Sequence, residues 1–229
     1  MPKIFFFTFI LLLIPASVFS IDKPFSFAMK RLDLQPQFVD WPGAKPEPDE
    51  VSKSKIQVSE KIRKVFVCIE LLGNQYGVFL LIGLLALASK KCFTHFPLIF
   101  AGVLGAGIVS TILKKCIIRT RPYGFSFLDD PKQSFDGFSL LKNSEDLTQS
   151  FPSGHTTLAV ALLVFLIWLF PRGRWCFYAL GLWLITYRIA MGAHFFSDTL
   201  AGVLVGGVFA SVCIFLYERY LGKTSEPEA

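Results

Sequence analysis

Four consecutive apolar stretches in the second half of the chain, residues 96–113, 156–170, 175–187 and 199–217, each end against ionisable side chains. A chain crossing a slab reverses direction at every crossing. The end of the first stretch, the start of the second, the end of the third and the start of the fourth therefore share one face. Lys114 and Arg121 follow the first, His155 leads into the second, Arg188 closes the third, and His194 with Asp198 leads into the fourth. Ionisable groups so close to bilayer depth are costly and usually functional.

Composition supports helices in a membrane. Of 229 residues, 53% are hydrophobic and 15% aromatic, including 25 Phe, and the mean hydropathy is +0.53. Soluble domains hold about 45–50% apolar residues. The expectation is an all-α, polytopic bundle of about six transmembrane helices, or five if the N-terminal segment is a cleaved signal. The charge of +6 raises nucleic acid as a partner, but no basic helix, finger or aromatic-basic module accompanies it. Much of that charge borders apolar stretches. Cys68, Cys92, Cys116, Cys176 and Cys213 show no paired spacing and no CxxC, so they read as structural thiols.

Residues 1–21 form the N-terminal span or signal, with Ser20 as a candidate processing site. Residues 22–64, rich in proline and mixed charge, read as an extracytoplasmic connector in which 51–64 is a candidate amphipathic helix. Residues 65–218 read as the catalytic membrane domain, opened by a span over 65–89 with Glu70, Asn74 and Gln75 near its outer end, and 219–229 as a cytoplasmic tail. Those three polar residues suit either a substrate head group or the membrane interface. Lys90, Lys91, Arg172, Arg174, Arg219 and Lys223 occupy short turns and the tail, which by the positive-inside rule lie in the cytoplasm. The shared face then points outward, to a periplasm or equivalent lumen. Gly202 with Gly206, and glycines 102, 105 and 107, mark close helix packing.

Three clusters carry the chemistry. Lys114 and Arg121, seven positions apart, fall on one face if helix persists for two turns; they suit a phosphate clamp or an anchor at lipid head groups. In Phe151-Pro152-Ser153-Gly154-His155, Ser153 is a natural N-cap, and the free amides of the following turn make an anion site beside His155. In Arg188-x5-His194-x3-Asp198, the i, i+4 pair lets the carboxylate take the proton on one imidazole nitrogen and leave the other nucleophilic. Arg188 and His194 lie about 240° apart on a continuous helix, so a bend near Gly192 is required. Each cluster alone has a structural explanation. Together they hold two of the chain's three histidines, and the economical use of such a set is phosphoryl transfer without a metal. His95 lies at the other end, near a cytoplasmic turn.

Lys114-x6-Arg121-Pro122, Pro152-Ser153-Gly154-His155 and Arg188-x5-His194-x3-Asp198 resemble the three-part signature of the type 2 phosphatidic acid phosphatase superfamily, in its integral-membrane branch. Tyr187 departs from the serine common before the arginine. The resemblance implies a hydrolase without cofactor or metal: His194, oriented by Asp198, attacks phosphorus, and His155 protonates the leaving group. Lys114, Arg121, Arg188, Ser153 and Gly154 then hold the phosphate. It also implies a membrane lipid phosphate as substrate, of phosphatidic acid, phosphatidylglycerophosphate, undecaprenyl diphosphate or lipid A class, and a bacterial inner membrane as location. A soluble phosphate ester as substrate, or a transporter on the same fold, are the competing readings. Phe125, Phe127, Phe135 and Phe138 in the loop 123–150 suit either a lipid-dipping surface or the loop's own small core. The sequence leaves the oligomeric state open.

Overall fold

The computed structural model describes residues 72–122, 134–139, 148–190 and 192–221, with residues 13, 14, 17, 18, 20–22 and 24 of the N-terminal segment. Apart from residues 22 and 24, the connector with its amphipathic stretch lies outside the described residues, as do Glu70, Phe125, Phe127 and the tail lysine Lys223.

The described elements run α1 (Gln75–Ala88), α2 (Lys90–Thr94), α3 (Phe96–Cys116), β1 (Ile117–Arg119), β2 (Phe135–Phe138), α4 (Gly154–Leu169), a 3-10 turn at Pro171–Gly173, α5 (Arg174–Ala190) and α6 (Phe196–Tyr220). Local chemistry sets several of the ends. Asn74 caps α1 by accepting from the Tyr76 amide at 3.0 Å, and Pro97 sits in the first turn of α3, where its missing N–H has no helical partner to lose. Ser153 caps α4, and Pro171 follows its last turn. Between α5 and α6, Gly192 adopts φ +63°, a conformation that glycine takes without steric cost. It supplies the bend that the Arg188–His194 spacing requires.

The core lies where α1, α3, α4 and α6 meet, with Val78, Val103, Ala106, Leu162, Phe165 and Ala210 fully or nearly fully buried. Glycine allows close backbone approach. A Cβ on Gly202 would lie 2.7 Å from the Ser153 carbonyl oxygen, and one on Gly206 would lie 2.3 Å from that of Thr157. The expected small-residue stripe is thus the α4–α6 contact. At the far end, His95 packs edge-on against Trp168, with ring centroids 5.1 Å apart, and Trp168 donates to Glu218 at 2.8 Å.

Helices α3 and α6, of 21 and 25 residues, are long and apolar enough to cross a membrane; at 1.5 Å per residue α3 spans about 32 Å. Helices α1 and α4 are apolar but shorter. The outer faces remain apolar: Leu80, Leu84 and Leu87 on α1, Leu104, Ile108 and Ile112 on α3, and Val208, Val212 and Phe215 on α6 are all exposed. Stripes this extensive mark contact with lipid or protein rather than water.

Candidate active site

The C-terminal end of α3, the N-terminal ends of α4 and α6 and the C-terminal end of α5 converge on a cavity of about 690 Å³. Lys114, Arg121, Gly154, His155, Arg188 and His194 line it. The convergence expected from alternating chain direction is therefore met, but the route to it differs from the sequence reading. Helix α3 stops at Cys116, and the chain continues as strand β1. Lys114 reaches the cavity from the last helical turn and Arg121 from just beyond the strand, rather than both from one helical face. The strand begins in Ile117-Ile118, a β-branched pair that favours extended backbone.

Strand β1 pairs antiparallel with β2, and residue 149 bridges to Arg119. That bridge draws the Gln149 carbonyl to Lys114, whose Nζ donates to it at 2.8 Å. It also brings Ser150 to the base of α6.

Nδ1 of His194 lies 2.8 Å from the Ser150 carbonyl oxygen. A carbonyl can only accept, so Nδ1 carries the proton and Nε2 the lone pair. The expected partner, Asp198, is 3.7 Å from the same nitrogen, too far for a hydrogen bond. Its carboxylate is already engaged: it accepts from the Ser150 hydroxyl at 2.5 Å, from the Phe195 amide at 2.9 Å and from the Arg119 guanidinium. Asp198 thus acts on His194 through Ser150 and through its charge. Burial, with the charges of Arg188, Arg121 and Lys114, holds the His194 imidazole well below its ordinary pKa of 6.5, so the ring is neutral.

His155 stands in the first turn of α4, beside the free amides of that helix. A Cβ on Gly73 would approach its Cβ to 2.9 Å, so the turn before α1 fixes the position of this side chain. Ser153 is fully buried. Its hydroxyl accepts from the Thr156 hydroxyl at 2.9 Å, and its amide donates to the Asp198 carbonyl at 3.0 Å. It shapes the α4 terminus from beneath and is not on the cavity wall. Tyr187 is buried against Ala159 and Leu184, a packing residue at the position where the resembled family carries serine. Of the loop phenylalanines, Phe135 lies against the Arg119 guanidinium at 4.3 Å, whereas Phe138 is exposed.

Besides Ser150, three participants escaped the sequence reading. Arg119 is fully buried at the base of the site, and so is Asp22 beside it. Ser110, one turn before Lys114, lines the cavity with a buried hydroxyl that has no hydrogen-bond partner. Among the described residues, no group of three or more His, Cys, Asp or Glu is arranged to hold a metal ion.

Fold and site together define a class: helical membrane proteins whose helix ends gather cations and imidazoles around an anion pocket. Residues 96–220 match the model of the PAP2 superfamily, and the chain belongs to that superfamily. It is 37% identical over 121 residues to a lipid A 1-phosphatase of Rhizobium etli, a match covering 53% of this chain and 50% of the relative. The chain thus spans about half the length of the lipid A 1-phosphatases it matches. An inositol phosphorylceramide synthase catalytic subunit of Schizosaccharomyces pombe is 37% identical over 86 residues, or 38% of this chain and 18% of that protein. A transmembrane PAP2 type phosphatidylglycerolphosphate phosphatase from Bacillus subtilis shares the fold. Its TM-score is 0.52 at 17% identity, covering 93% of this chain and 94% of that one.

Proposed function

We propose that the protein is a membrane phosphatase that hydrolyses a phosphate monoester or diphosphate on a lipid, without a metal ion, through a phosphohistidine. The observation that carries this reading is the fixed tautomer of His194. With Nδ1 donating to Ser150, Nε2 presents its lone pair at the wall of a cavity that also holds three cations.

Nε2 attacks phosphorus as the bond to the leaving oxygen breaks, and His155, which takes up a proton as the anionic phosphate settles among the cations, delivers it to that oxygen. Lys114, Arg121, Arg188 and the first-turn amides at Gly154 offset the charge that develops on the non-bridging oxygens. His155, now deprotonated, takes a proton from water, which attacks the phosphohistidine and regenerates His194. The Asp198 charge, relayed through Ser150, steadies the imidazole while it carries the phosphoryl group.

A lipid substrate is favoured by the cavity's other wall. Tyr76 and Phe79 of α1 and Leu104, Ile108 and Ile112 of α3 line it, and Leu104, Ile108 and Ile112 also belong to the exposed apolar stripe of α3. An acyl or prenyl chain can enter between α1 and α3 while its phosphate meets the cations. The lipid A 1-phosphatase among the relatives makes lipid A the first head group to try. The basic short turns support a site facing the periplasm of an inner membrane, within a bundle of about six spans.

Purified protein in detergent, assayed with chelator present, tests the reading across lipid A, phosphatidic acid, phosphatidylglycerophosphate, undecaprenyl diphosphate and a short soluble phosphate ester. Phosphate release from at least one lipid, with chelator having no effect, is expected. Activity that disappears with chelator and returns with Mg²⁺ contradicts the metal-free mechanism, and a preference for the soluble ester contradicts the lipid substrate.

A further inference from the structure

Beneath the cavity, a buried chain of charges ties the N-terminal segment to the reacting histidine. The Arg119 guanidinium donates through Nη2 to Asp22 at 2.8 Å, through Nη1 to the Ser197 hydroxyl at 2.6 Å and to Asp198, and through Nε to the Ser134 hydroxyl at 3.0 Å. Phe135 and Phe195 face it at 4.3 and 4.1 Å from their ring centroids. Asp22 does more than neutralise this cation. Its Oδ1 accepts from the Ser197 amide at 2.9 Å, and its Oδ2 accepts from the Ser197 hydroxyl at 2.5 Å.

Ser197 is in the first turn of α6, one residue before Asp198. The amides at a helix start lack intrahelical partners, so a carboxylate placed there fixes the turn as well as balancing its dipole. Here that carboxylate comes from a position 175 residues earlier in the chain. Its other contact turns Arg119 so that the fork reaches Asp198. Since Asp198 holds the Ser150 hydroxyl and the Ser150 carbonyl holds His194, each link passes on the direction of the next.

We infer that Asp22 and Arg119 are positioning residues for His194, with Asp22 acting through Arg119 and the first turn of α6, so that the N-terminal segment completes the support of the active site. Neither residue lines the cavity, so substrate binding should register their loss weakly and the chemical step strongly. Misplacement of a reacting group by about 1 Å is enough for a loss on the order of 100-fold.

The inference rests on the phosphatase reading and is tested by steady-state kinetics of full-length protein on whichever lipid phosphate the unaltered chain hydrolyses. Failure of the unaltered chain on every substrate would refute that reading, and separately from the positioning roles. Asp22→Asn and Arg119→Lys should each lower kcat by about 10- to 100-fold. KM and the inhibition constant of inorganic phosphate, which reads the cations of the cavity, should stay within about threefold. The double variant should be little worse than Arg119→Lys alone, because both lie on one path. Ser197→Ala leaves every charge paired and should show the same pattern with a smaller loss, even where the charge variants fold poorly. Unchanged kcat in the variants, a parallel collapse of kcat, KM and phosphate inhibition, or losses that multiply in the double variant would each overturn the inference.

Discussion

His155 and His194 meet the same cavity with different freedoms, and their loss should be distinguishable. His194→Ala removes the nucleophile, so turnover should fall to background for every substrate. His155→Ala removes the acid, a contribution of about 10²–10⁴-fold, and the loss should shrink for an aryl phosphate whose leaving group needs little protonation. Rescue of His194→Ala but not His155→Ala by the aryl ester would reverse the two roles. Nitrogen NMR of histidine-labelled protein supplies an independent check. His194 should be neutral and protonated at Nδ1 at a pH where a free imidazole, of pKa about 6.5, is half charged; a charged ring or the Nε2–H tautomer would contradict the hydrogen bond to Ser150. At this scale the cations and imidazoles of the cavity wall were readable from sequence because they stand at the ends of apolar runs; Ser110, inside α3, does not and was missed. Arg119 was not readable either, because extending helix α3 past Cys116 puts Arg119 and Arg121 about 200° apart. The strand that forms instead ends at Arg119 and leaves that side chain buried beneath the cavity, whereas Arg121 lines its wall. Ser150 contributes its backbone carbonyl to His194, and any residue type has one.

Helix packing can be tested with two glycines in contrasting surroundings. On α6, Gly206→Ala would place a methyl 2.3 Å from the Thr157 carbonyl oxygen. Backbone must shift there, at a cost of about 1–3 kcal/mol. On α1, a Cβ at Gly83 meets nothing within 4 Å, so Gly83→Ala should be neutral or stabilise by up to about 1 kcal/mol through helix propensity. Thermal unfolding in detergent reads both, and equal effects would deny that glycine sets the α4–α6 spacing. The elements were legible where hydropathy and capping agree, as at Ser153 before α4. The turn at Ser89 that divides the expected 65–89 span from α2 was less so: its cap is backbone, with the Ser89 amide bonded to the Leu85 carbonyl at 3.0 Å. The two short strands were also missed, since three and four residues leave no measurable period in hydropathy.

For the whole molecule, one rule of alternating direction accounts for the convergence of four helix ends on one cavity. The same rule would put the outer end of an N-terminal span, if the first segment is one, on that face, which is where Asp22 is found. The sequence reading assigned Asp22 to the connector instead, because a carboxylate following an apolar run also marks an ordinary return to water. Orientation is tested by cysteine labelling of an otherwise cysteine-free protein in cells: position 138, exposed on β2, should react with an impermeant reagent once osmotic shock has breached the outer membrane, and position 91 should stay protected. Labelling at 91 instead would turn the site toward the cytoplasm. The central claim, that these converging ends form one centre that transfers phosphate through His194, is met most directly by rapid acid-free quenching with a lipid substrate radiolabelled at phosphorus. The account predicts a base-stable, acid-labile label that mass spectrometry places on Nε2 of His194, forming and decaying within a turnover. A label on another residue, or turnover with no labelled protein at any time, would contradict it.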